Sequence, residues 1–370
     1  MKYEGFAKLH QDVTKGEAGG QILWQPRIEC WYGDKKFYKQ PMPKPYDGMS
    51  LPEIYRHLGC SARVYEYRHC IEAIQDPAVK EYRNIISETI TEHVIETPVG
   101  KLTMVGQKTD NSPYAIKKKW WITTEEDFKV ASWIEERKNY KFSMDKFNEI
   151  YAKWGNLGAP TTFMPRVNVQ HLYIDMMGVE EATYALYDYP ETIEEYFRVL
   201  EESHERFIAV INDSPIDIIN FGDNIHVGTL SPALFKKYVL PTYLRRNELL
   251  HKAGKFTHAH WDGDTKGLLP FAKECGLDGI EAITPMPQGD VTVREIKDAL
   301  GDEVFLIDGI AATLFDTIFS EEELVAQVNE LLELFAPKII LGISDEISST
   351  GDIERVKLVG EIVDSYNKSL

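Results

Sequence analysis

Two histidines and two aspartates are spaced through Phe256-Thr-His-Ala-His-Trp-Asp-Gly-Asp-Thr265. Extended backbone sends successive side chains to opposite faces, so His258, His260 and Asp262 share a face while the strand lasts. Imidazole with carboxylate is a donor set for zinc or a similar divalent metal, and the same groups can move a proton. Asp264 has a plainer use, as the N-cap of a helix over residues 267–274. Glu281 sits inside the apolar run Gly279-Ile-Glu-Ala-Ile283. A carboxylate there needs a metal ion, a cation or a hydrogen-bonding partner, because burying it alone is costly. Asp223 and Asn224 end the run before the His segment, Asp308 ends the run from Val304, and Ser344-Asp345-Glu346 ends the last.

These groups converge only if the elements carrying them share an edge. The second half of the chain beats strand–helix. Apolar strands are expected over 215–222, 255–260, 279–283, 304–308 and 338–342, with helices after Ser231-Pro232, over 267–274 and 293–300, from Ser320 to Leu334, and to about Tyr366. Ser231-Pro232 is an N-cap and first-turn pair, and Ser320 with Glu323 is a capping box. Strands apolar along their whole length belong to a parallel sheet covered on both faces. The fold class is therefore α/β, and an eight-stranded TIM barrel fits if the first half supplies the remaining strands. Candidates are residues 21–24, part of 94–105, and 157–164. In such a barrel the strand ends share one rim, where ligands bind. A doubly wound open sheet is the alternative, but no Gly-rich phosphate fingerprint follows any strand.

The first 150 residues are less regular. Residues 31–50 read as an extended loop, 91–109 as a β-hairpin around Pro98, and 124–136 as a helix. A long amphipathic helix is expected over 190–212, its acidic first turn complementing the dipole. No clear linker appears, so residues 1–370 read as a single domain, with 1–150 an elaborated N-terminal part and 151–370 the regular strand–helix units. Trp24, Trp31 and Tyr32 can line a pocket for a flat or apolar substrate or simply fill the core. Gly158-Ala-Pro160 is a tight strand end that can floor a pocket.

The formal net charge is −18, with a pI of about 5.1. Such a surface repels nucleic acid and anionic membranes, so neither is an expected partner. The four cysteines form no CxxC pair, which argues against a zinc ribbon or a disulfide framework. The N-terminus has no apolar signal region and no stretch approaches a membrane span, so a reduced, cytoplasmic protein is expected. P-loop, zincin, serine-hydrolase and thiol-redox motifs are missing.

The ordered set Asn220-Phe-Gly-Asp-Asn224, His260-Trp-Asp-Gly263, Gly279-Ile-Glu-Ala-Ile-Thr-Pro-Met-Pro-Gln-Gly-Asp290 and Ile339-Ile-Leu-Gly-Ile-Ser-Asp345 resembles the uroporphyrinogen decarboxylase superfamily over roughly residues 150–365. The resemblance implies a TIM barrel. The decarboxylases carry an Arg-x-x-Gly-Arg motif near the N-terminus; the nearest segment here is Trp24-Gln-Pro-Arg27. Without those arginines, binding a substrate with many carboxylates is hard to justify. The corrinoid-dependent methyltransferase branch builds a zinc site on His-x-Cys-Gly and a later Cys. His260-Trp-Asp262-Gly263 matches it with Asp in place of Cys, and the later position falls near Ser344-Asp345-Glu346. The implied site is imidazole and carboxylate, suited to polarising an ether oxygen, as in O-demethylation of methoxylated aromatics.

The reading is a methyltransferase moving a methyl group from a small methylated donor to a corrinoid on a partner protein. Its metal set is His260, Asp262, Glu281 and Asp345. Its catalytic residues are His260, Asp223 and Glu281, and its substrate contacts Trp24, Trp31, Tyr32, Asn224 and His258. A homodimer is compatible with the sequence. Two rivals remain: a metal-independent decarboxylase or lyase using Asp223 and His260 in proton transfer, and a non-catalytic barrel holding a small ligand.

Overall fold

The structure, a computed structural model, describes residues 3–370. Its strands, numbered in chain order, are β1 Leu23–Trp24, β2 Ile71–Ile74, β3 Lys80–Ile85, β4 Ile90–Thr97, β5 Gly100–Thr109, β6 Ser112–Lys119, β7 Asn139–Phe142, β8 Thr161–Phe163, β9 Ile218–Ile225, β10 Phe256–Trp261, β11 Gly279–Glu281, β12 Phe305–Ala311 and β13 Ile339–Ser344. The chain packs as two compact units.

The first unit comprises residues up to Cys70, Met144–Met164 and Pro215–Leu370. Its seven strands form one parallel sheet in the order β1-β13-β12-β11-β10-β9-β8. The edges are joined by an irregular stretch. Ser61 N donates to Trp24 O at 3.0 Å, and Val64 bridges Pro160 in parallel. Residues 61–64 thus stand where an eighth strand would, and the fold is the α/β TIM barrel. Strands β10, β12 and β13 are buried at every residue, as expected for strands between a filled interior and a layer of helices. Capping boxes at Thr292/Glu295 and Ser320/Glu323 open the helices Val293–Leu300 and Glu321–Phe335.

An apolar layer of Leu23, Ala159, Ile218, Phe256, Phe305, Ile307 and Ile340, with Val13 of helix Gly5–Lys15, fills the barrel. Burying a side chain of this kind contributes on the order of 1.5–3 kcal/mol. Most of these residues begin their strands, which leaves the opposite ends to polar groups.

The second unit comprises Ile71–Ser143 and Pro165–Ser214. It holds an antiparallel sheet in the order β3-β4-β5-β6, the antiparallel pair β2-β7, and helices that include Asp127–Arg137 and Pro190–Asn212. The expected hairpin is present as β4 and β5, with Thr97 opposite Gly100.

Three local expectations fail. The stretch read as an extended loop over 31–50 begins inside a helix, Glu29–Phe37. Residues 94–105 belong to that hairpin sheet and contribute nothing to the barrel; a hairpin turn at Pro98 makes antiparallel neighbours, which a parallel barrel cannot use. Residues 267–274 form only a short 3-10 turn, Leu269–Phe271. Among the described residues no helix is long and apolar enough to cross a membrane. The cysteines are free, Cys30 exposed and the others buried.

Candidate active site

Glu281 ends β11, and its side chain is 1% exposed. Parallel register sets it beside His260 of β10 and Ile307 of β12. Its Oε1 lies 2.9 Å from His260 Nδ1 and 3.3 Å from Arg63 Nη1. Its Oε2 accepts from Tyr65 Oη at 2.8 Å and from Asn220 Nδ2. His258 Nδ1 stands 3.0 Å from Oε2 but lacks hydrogen-bond alignment, so this contact is electrostatic. Burial would raise the Glu281 carboxyl, but Arg63 and the two imidazoles hold it well below the usual carboxylate range.

The arginines are themselves fixed. Arg63 forks onto Asp308 at 2.7 and 3.1 Å and donates Nε to Gln25 Oε1 at 2.9 Å. Arg27 Nη2 bonds Glu346 Oε1 at 3.0 Å, and Glu346 Oε2 accepts from Cys30 N at 2.7 Å. Gly342 admits the Asp308 carboxylate: a Cβ there would lie 2.2 Å from Oδ1.

Backbone strain gathers along these strands. Asn224, Ala282, Asp308 and Asp345 all have φ between 53° and 78°. Left-handed backbone costs a non-glycine residue energy and persists where surrounding structure enforces it, often at functional sites.

His260 faces two ways. Nδ1 is committed to Glu281, while Nε2 lies 3.9 Å from Asp262 Oδ2. Burial would depress the His260 imidazolium, but the hydrogen bond and charge of Glu281 lift it above the ordinary histidine range. Asp262 Oδ1 is buried without a hydrogen-bond partner. Asp345, exposed on the rim, lies within electrostatic range of His260, Asp262 and Arg27. Among the described residues no three His, Cys, Asp or Glu side chains are gathered closely enough to hold a metal ion as they stand.

His258, His260, Asp262, Glu281 and Asp345 therefore come to one end of the barrel. Other expected residues do not join them. Asp223 alternates to the outer face of β9, where it is fully buried and accepts the Tyr243 hydroxyl at 2.7 Å. Trp24 is buried and donates Nε1 to Val356 O of the helix Ile353–Lys368. Trp31 packs edge-on against Tyr46, and the Tyr32 ring lies beneath Lys36. Trp24 and Trp31 are buried and serve packing, whereas Tyr32 is half-buried. Asn224 ends β9 half-buried. Asp264 is exposed and caps no helix; Asp290 instead accepts from Thr265 N and Lys266 N. Sequence reading missed Arg63, Tyr65 and Asn220 as site residues. The signal available was an arginine in the otherwise small, apolar run Cys60-Ser-Ala-Arg-Val64.

The chain is a parallel α/β barrel with a buried acid–base cluster at the C-terminal ends of its strands, the face where such barrels bind ligands. The sequence gives the family: residues 154–366, more than half of the chain, match uroporphyrinogen decarboxylase (URO-D), and the chain belongs to that family. A methyltransferase from Methanosarcina mazei shares the fold, at 14% identity over 98% of this chain and 99% of that one, TM-score 0.57. A B12-independent methionine synthase from Shewanella sp. W3-18-1 aligns over 95% of this chain and 98% of that one at 12% identity, TM-score 0.37. No curated protein sequence matches the chain.

Proposed function

We propose that this protein is a metal-assisted methyltransferase that moves a methyl group from a small methylated donor to a corrinoid carried by a partner protein. The observation that carries the reading is the orientation of His260. Glu281 takes Nδ1, which leaves Nε2 turned toward Asp262, whose Oδ1 is buried and unpartnered. A ligating histidine held by a carboxylate through its other nitrogen is a recurrent feature of metal sites.

The charges support a cation. The carboxylates of Glu281, Asp308, Glu346, Asp262 and Asp345 outnumber the guanidiniums of Arg27 and Arg63 around the imidazoles of His258 and His260. His260 Nε2, Asp262 and Asp345 would hold zinc or another divalent ion, a nitrogen and oxygen set suited to either. Both Glu281 oxygens already receive donors, so its role is to fix the His260 tautomer from behind. The bound ion would supply Lewis acidity toward the donor oxygen. Tyr65, Asn220 and Arg63 hold Glu281, and Glu281 holds His260. The rival decarboxylase needs Asp223 for proton transfer, and that carboxylate is spent on Tyr243.

The test is metal content together with methyl transfer to a cobalt(I) corrinoid protein. About one divalent ion per chain is expected, lost with activity in His260→Ala. Full transfer by chelated enzyme sinks the proposal.

A further inference from the structure

Phe163 ends β8 at the same face of the barrel as the His260 cluster, with its side chain half-exposed. Its ring stacks on Tyr65, centroids 4.0 Å apart and planes 25° from parallel. Tyr65, also half-exposed, bonds Glu281 through its hydroxyl. Gly222 makes room for the stack: a Cβ there would lie 2.8 and 2.9 Å from Phe163 ring carbons. An aromatic pair is thus fastened to the acid that orients His260, and part of its ring surface remains open.

We propose that Phe163, backed by Tyr65, is a specificity wall that takes the planar ring of an aromatic donor. This rests on the methyl-transfer reading for the donor's chemistry but not for the ring contact itself. Offset or edge-on contact with an aromatic ring favours a flat unsaturated ligand over its saturated counterpart, by several-fold to about tenfold.

The probes are phenol and cyclohexanol, with binding to the full-length protein measured by calorimetry, and methoxybenzene and methoxycyclohexane as donors. Binding needs neither metal nor corrinoid. Wild type is expected to bind phenol about tenfold tighter than cyclohexanol. Phe163→Leu should remove most of that preference and raise KM for methoxybenzene more than it lowers kcat, while Phe163→Tyr keeps it. Gly222→Ala, which displaces the ring without replacing it, should weaken phenol binding too and serves if Phe163→Leu misfolds. A wild type that does not distinguish the rings, or binds neither, overturns the proposal, as does Phe163→Leu or Gly222→Ala with an unchanged preference. A ring preference without methyl transfer leaves the wall standing and removes the methyltransferase.

Discussion

His260 and Glu281 are register partners on neighbouring parallel strands, and His260 Nδ1 lies 2.9 Å from Glu281 Oε1. The pairing fixes which ring nitrogen carries a proton when the imidazole is neutral: Nδ1 donates and Nε2 keeps its lone pair. Glu281→Gln replaces a charged acceptor with a neutral amide. Metal affinity should fall by about 10–100-fold, and the His260 pKa should drop toward the ordinary histidine value. Metal titration and histidine NMR read the two effects. An unchanged affinity would mean that Glu281 does not orient the ligand.

The same pair sets a pH dependence in metal-free protein. The folded value of Glu281 is depressed, so its stabilisation is present above the unfolded carboxylate value and is lost only as pH falls through the lower folded value. The folded value of His260 is raised, so its stabilisation is complete below the unfolded value of 6.5 and is lost as pH rises through the folded one. Chelated protein should therefore lose His260's share of stability between mildly acidic and alkaline pH, and Glu281→Gln should flatten that slope. Metal binding runs the other way, because an ion needs Nε2 unprotonated. Urea denaturation across pH, with and without metal, separates the two signs.

How much of this was legible follows from how each residue is placed. The His258–Asp262 segment announced itself because extended backbone alternates faces and no packing rule asks for those residue types at a strand end. Glu281 stood out as a charge in an apolar run. Arg63 did not, because it lies in a stretch with one β-bridge, Val64–Pro160, and no regular strand pairing, and its partner Asp308 is 245 positions away in sequence. The missing barrel strand has the same cause, since residues 61–64 have too little regular pairing to carry a period. Asp223 does not reach the site because its carboxylate accepts the Tyr243 hydroxyl, a partner 20 positions away that strand pattern does not reveal. Trp24 and Trp31 look identical in sequence whether they line a pocket or fill a core.

Arg63 is the most consequential of the missed residues. Its side chain is 3% exposed, and that of Asp308 is fully buried. Arg63→Met leaves Asp308 and Glu281 buried without their main cation, at a cost of about 3–5 kcal/mol. The double variant Arg63→Met/Asp308→Leu should recover part of that loss, because an unpaired charge is removed along with its partner. Denaturant titration of the three proteins checks this. A double variant no more stable than Arg63→Met alone would show that the fork is not the source of the cost.

The closure of the barrel gives the last test. Gly158 precedes β8 where the closing stretch crosses it, and a Cβ at Gly158 would sit 1.9 Å from the Ala62 carbonyl oxygen. That oxygen belongs to backbone, tied through Ala62 N to Leu157 O at 2.8 Å, so it cannot swing aside as a flexible side chain would. Its φ of −169° is extended backbone that alanine adopts freely, so space rather than conformation is at issue. Gly158→Ala should push residues 61–64 away from β8, costing about 1–3 kcal/mol by overpacking. Because Arg63 and Tyr65 ride on the same stretch, the displacement should also loosen Glu281 and lower metal affinity. Gly33→Ala, with nothing within 4 Å of its Cβ, is the control expected to change neither. If Gly158→Ala lost stability but kept wild-type metal affinity, the seam of the barrel and the site would be mechanically independent.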